Sequence, residues 1–91
     1  MSKQLHVIFS GTVQGVGFRF TTERLARQFP VTGFVKNLSN GKVEVVAEGK
    51  KEDVEKFLAA VRASSLGRYI EDVEIEWREA QGKYSCFETA F

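Results

Sequence analysis

Two short stretches of this chain carry residue types able to handle an anion. The first is Gly11-Thr12-Val13-Gln14-Gly15-Val16-Gly17-Phe18-Arg19. Glycines let a loop curl until successive backbone N–H groups point inward and form a concave anion site. A helix start adds unpaired N–H donors and positive potential. Arg19 falls at that start, where a cation opposes the helix dipole. The position makes sense if a bound dianion sits between the loop and the guanidinium, whose fork of donors matches phosphate oxygens. A second reading uses the same residues. Gly15 and Gly17 permit a turn, and Arg19 is solvated. The spacing is neither a Walker loop nor a G-x-G-x-x-G fingerprint.

The second stretch is Gly33-Phe34-Val35-Lys36-Asn37. Asn37 falls near a strand end, and its amide both donates and accepts. It could serve a reactant, or it could satisfy the backbone of the turn that follows. Spacing alone leaves both roles open.

The elements that must position these stretches follow from periodicity. Residues 5–9 alternate as a strand, with Leu5, Val7 and Phe9 on one face. Phe18, Thr22, Leu25, Ala26 and Phe29 recur at helical spacing, and Pro30 ends that helix. Residues 33–38 and 42–47 read as strands around Asn40-Gly41, the preferred pair of a tight hairpin turn. Residues 51–62 are predicted to form an amphipathic helix, with Val54, Phe57, Leu58 and Val61 on one face and Glu52 and Asp53 near its positive end. A polar stretch at 63–68 precedes a strand over 70–78, and residues 84–91 give a short final strand. Strand, helix, strand, strand, helix, strand makes an α+β chain. The economical solution is a ferredoxin-like βαββαβ sandwich, one antiparallel sheet with two helices on one face. By periodicity Trp77 and the phenylalanines belong to the core.

Composition narrows the function classes. The chain has 91 residues, enough for a single domain over 1–91, with 43% hydrophobic and 27% charged residues. Thirteen basic against 12 acidic residues leave a net charge of +1, which is no footprint for non-specific nucleic-acid binding. One cysteine, Cys86, precludes an intrachain disulfide or a cysteine metal cluster. One histidine, His6, makes no metal site. No signal pattern or membrane-length apolar run is present, so the expected location is the cytoplasm.

Taken together, the two stretches resemble the signatures of the acylphosphatase family. Residues 11–19 are similar to G-x-V-Q-G-V-x-F-R. Gly33, Phe34, Val35, Lys36, Asn37, Gly41, Val43 and Gly49 are similar to the second signature, and Thr22 and Ala26 fit the family's first helix. The chain departs from the family pattern at Phe29-Pro30-Val31, at residues 64–68 and in its tail, but not at Arg19 or Asn37. The resemblance implies hydrolysis of an acyl phosphate, a carboxyl–phosphate anhydride, to carboxylate and inorganic phosphate. It implies no metal and no cofactor. It places the phosphoryl group on a loop of Gln14, Gly15, Val16, Gly17, Phe18 and Arg19, held by main-chain N–H groups and the guanidinium. By the same resemblance Asn37 positions the attacking water. The partners expected are a small-molecule substrate and inorganic phosphate, with no nucleic acid, no membrane and a monomeric chain.

Two alternatives belong beside it. One is a non-catalytic anion-binding or regulatory domain, since one fold hosts many functions. The other is an RNA-binding module, which shares the element order but needs stacking aromatics in a basic surround. His6 and Cys86 are read as structural residues.

Overall fold

A computed structural model describes residues 2–91. Five strands and two helices appear in chain order: β1 Ser2–Gly11, α1 Phe18–Ala26, β2 Thr32–Asn37, β3 Val43–Lys50, α2 Lys51–Ala63, β4 Ile70–Glu79 and β5 Phe87–Ala90. The polar stretch before β4 holds a short 3₁₀ helix, Ser65–Tyr69, capped by the Ser64 hydroxyl. The strand order is β4-β1-β3-β2-β5. The four long strands pair antiparallel, as the ferredoxin-like reading requires. β5 then adds to the outer edge of β2 in parallel, so the sheet as a whole is mixed.

Alternation decides which face is covered. Leu5, Val7 and Phe9 of β1 point to the same side as Val43, Val45 and Ala47 of β3, and all six are buried. Against them pack Phe18 and Ala26 of α1 and Val54, Phe57 and Val61 of α2. Each fully buried valine, leucine or phenylalanine among them contributes roughly 1.5–3 kcal/mol. α1 lies over β2 and β5, α2 over β1 and β3, and the helices touch each other.

α1 ends at Ala26, short of Phe29. The N–H groups of Arg27, Gln28 and Phe29 donate to Arg24, Leu25 and Ala26, a tightened i→i−3 pattern. Pro30 forbids a helical Phe29, and the last turn narrows ahead of it. Leu25 and Phe29 still pack against the core. The hairpin is also wider than a two-residue turn. Leu38 N–H donates to Lys42 and Gly41 N–H to Leu38, at 2.8 and 3.2 Å. Only Gly41 takes positive φ, while Asn40 spends its side chain on the Lys42 N–H. This is the three-residue turn with a glycine bulge.

Several periodicity expectations fail at the margins. Trp77 is 37% exposed and Ile75 45%, because β4 is an edge strand that the helices do not cover. Phe20 and Phe91 are exposed rather than core. Cys86 is exposed too, and contributes its carbonyl to the Gly33 N–H instead of a packed thiol.

The other sheet face is open except for residues 80–86, which run from β4 to β5. Glu48, 5% exposed, accepts from the N–H groups of Gln81 and Gly82 at 2.8 and 3.0 Å and from Gln4 Nε2 at 2.7 Å. Burial raises its pKa. Hydrogen bonds from Gln81, Gln4 and Gly82 and the charge of Lys83 outweigh that and hold it below the usual carboxylate value. His6 Nε2 lies 2.7 Å from Glu44 Oε2 on the same face, a structural pair.

Candidate active site

The loop from β1 to α1 is pinned at three points. Val13 is buried. Thr12 N–H donates to Tyr69 O at 3.0 Å. Gln14 Nε2 donates to the carbonyls of Leu38 and Lys42, at 2.7 and 2.8 Å. Between the last of these anchors and α1 the chain needs two reversals. Gly15 and Gly17 have φ of 79° and 77°, and a Cβ at either would meet nothing within 4 Å. Glycine serves there for its backbone conformation, not for lack of space.

Gly17 is also the N-cap of α1. No side chain caps this helix and its first turn carries no acidic residue. The first-turn N–H donors therefore have no side-chain acceptor, and the positive end of the helix is uncompensated. Phe18 holds that end in place, its ring tilted against Phe9 at 5.1 Å. Arg19 follows, half-buried. No carboxylate of the described residues lies within ion-pair distance of its guanidinium. The Phe91 ring centre lies 5.0 Å from its Cζ.

Asn37 ends β2 opposite Val43. Its Oδ1 is buried and has no hydrogen-bond partner in the protein. A buried acceptor left unpaired costs about 1–3 kcal/mol. Such an atom calls for a donor from outside the protein, an ordered water or a reactant.

These groups meet. A hollow of about 450 Å³ is lined by Gly15, Gly17, Phe18, Arg19 and Asn37, together with Val13, Phe20, Glu23, Thr89 and Phe91. Two expected loop residues turn their side chains away from the hollow. Gln14 turns its side chain to the hairpin, and Val16 packs against the core. Four wall residues have no counterpart in the sequence reading of the site: Phe20, Glu23, Thr89 and Phe91. Glu23 had a signal, being one helical turn past Arg19. Thr89 and Phe91 had none, since only the pairing of β5 with β2 brings them here.

A strand–helix loop with free N–H donors, beside a buried unpaired amide oxygen, stands on a ferredoxin-like α+β sandwich. A family model, Acylphosphatase, matches residues 5–89. The acylphosphatase of Archaeoglobus fulgidus is 40% identical, over 96% of this chain and 97% of its own length. That of Chloroflexus aurantiacus is 43% identical, over 90% and 89%. The crystal structure of acylphosphatase from Bacillus subtilis superposes with a TM-score of 0.89 at 30% identity, covering 98% of this chain and 99% of that one. The chain belongs to the acylphosphatase family, and its reaction is the hydrolysis of acyl phosphates. No helix among the described residues is long and apolar enough to cross a membrane.

Proposed function

We propose that Arg19 and the main-chain N–H groups of residues 14–19 hold the phosphoryl group of the substrate, and that Asn37 orients the attacking water. The observation that carries this reading is the Asn37 Oδ1, an acceptor buried without a protein donor, on the same hollow as a guanidinium free of carboxylates. A water that donates a hydrogen bond to Oδ1 keeps that proton and turns its lone pair toward the phosphorus. The new P–O bond forms in line with the bond to the carboxylate, which leaves with its electron pair. The water's second proton passes to a non-bridging phosphate oxygen of the substrate.

Neither side chain needs to act as a base. Arginine stays protonated and an amide is not basic. Phosphoryl transfer relies on positioning and charge stabilisation. The carboxylate is a stable leaving group, so no general acid is required. In this reading one domain over 1–91 acts as a cytoplasmic monomer without nucleic acid, metal or cofactor. Its near-balanced charge supports the absence of non-specific nucleic-acid binding.

The test is hydrolysis of a simple acyl phosphate in the presence of a chelator, with the natural chain and with Arg19→Gln. Turnover that survives the chelator and collapses in the variant supports the assignment. A variant with undiminished turnover would refute it.

A further inference from the structure

Glu23 stands on the same hollow as Arg19 and Asn37. A carboxylate this near an anion site works against binding phosphate, so its position needs a reason. Its partners are Thr89, whose hydroxyl donates to Oε2, and Arg27, whose Nη2 lies 3.4 Å from Oε1. The Arg27 contact is long and mostly in water, where an ion pair neutralises little. Glu23 and Arg19 make no ion pair with each other. The hollow thus presents a guanidinium at its loop end and a separate carboxylate one helical turn beyond.

The remaining wall is apolar. Phe20 is 66% exposed and Phe91 94%, yet both residues border the hollow. Aromatic rings offer broad contact surface at small conformational cost.

We infer that Glu23 is a specificity-determining residue for the acyl side of the substrate. With the phosphoryl group at the loop, the acyl group extends along Phe20, Phe91 and Glu23. The rings accept an uncharged acyl group, aromatic ones included. The Glu23 carboxylate disfavours an acyl group with a second negative charge, as in the monophosphate of a dicarboxylic acid. The inference rests on the phosphoryl placement proposed above. A competing account gives Glu23 one task, holding Thr89 and so docking β5.

Benzoyl phosphate and succinyl phosphate, compared by kcat/KM, separate the accounts. Glu23→Gln removes the charge and keeps an oxygen for Thr89. It should raise the succinyl-to-benzoyl ratio by about 5–10-fold, the size expected for two like charges several ångströms apart in a partly screened site. Added salt should shrink the natural chain's discrimination. Thr89→Val keeps the charge and breaks the hydrogen bond, and should retain the natural ratio even if both rates fall. An unchanged ratio in Glu23→Gln, or an equal shift in Thr89→Val, overturns the inference. Arg19→Gln in the same series isolates the underlying reading. Normal benzoyl phosphate turnover there would remove the phosphoryl placement itself. Loss of turnover there with an unmoved Glu23→Gln ratio would remove only the charge filter.

Discussion

The side-chain amide of Gln14 donates to the carbonyl of Leu38 at 2.7 Å, and Leu38 directly follows Asn37. The same nitrogen reaches Lys42 O across the hairpin. One side chain thus ties the β1–α1 loop to the strand end that bears the amide. These two bonds join the halves of the site directly, adding to the pairing of β1 and β2 with β3, whereas the covalent chain takes the long route through α1.

Gln14→Ala should therefore disturb both folding and catalysis. Losing two neutral hydrogen bonds costs about 1–3 kcal/mol of stability. A loop free to shift by even an ångström relative to Asn37 should lower kcat by roughly 10–100-fold. Denaturant unfolding and steady-state kinetics on the same variant measure the two effects. Unchanged kcat would mean the loop keeps its place without the tie.

Arg19 and Asn37 should fail differently. Arg19→Gln is expected to lower turnover ~10²–10³-fold, as for loss of one aimed transition-state donor. It should also weaken competitive inhibition by inorganic phosphate. Asn37→Ala should lose turnover while inhibition by phosphate stays near normal. If both variants weakened phosphate equally, the division of labour would be wrong.

Gly17→Ala is expected to cost about 1–2 kcal/mol, the penalty for a side chain held at positive φ. The space around its Cβ is empty, so no clash adds to that figure. Thermal unfolding reads the loss. A larger fall in kcat than in stability would show the first-turn N–H donors of α1 being re-aimed.

Acid should loosen the strap over the open sheet face. The carboxyl of Glu48 titrates below its ordinary value of 4.5 when folded. The unfolded chain takes up that proton first. The stabilising contribution is thus complete above the unfolded pKa and is lost as pH falls through the lower, folded value. Glu48→Gln should be less stable at pH 7 and show a flatter acid limb below about pH 4.5. Urea midpoints across pH 3–7 check this. An unaltered acid limb would assign acid sensitivity to other carboxylates.

Edge and centre should differ in what an aromatic contributes. Phe57→Ala, in the core, is expected to cost about 3–5 kcal/mol. Trp77→Ala, on the uncovered edge beside Lys51, should cost about 1 kcal/mol. Paired unfolding curves decide it, and a Trp77 loss as large as that of Phe57 would mean the exposed ring is buried in solution.

What the sequence by itself determined is local. Alternation in Leu5, Val7 and Phe9 marked a face, helical spacing from Phe18 marked α1, and glycines at 15 and 17 marked the points where the backbone must reverse. Arg19 drew notice as a cation at a helix start, but spacing left solvation equally open, and only the resemblance to acylphosphatases gave it a role. Each of these is a property of a few neighbouring residues, written in backbone preference and side-chain period. Tertiary structure alone decided the rest. Period two puts Trp77 on the same face as Val73 but cannot say that the helices stop short of β4. Nothing near Thr89 or Phe91 in the chain announces a site. They reach the hollow because β5 pairs with β2, a contact between segments some fifty residues apart. The unsatisfied oxygen of Asn37 is of the same kind, since burial without a partner depends on every element around it and on no residue alone.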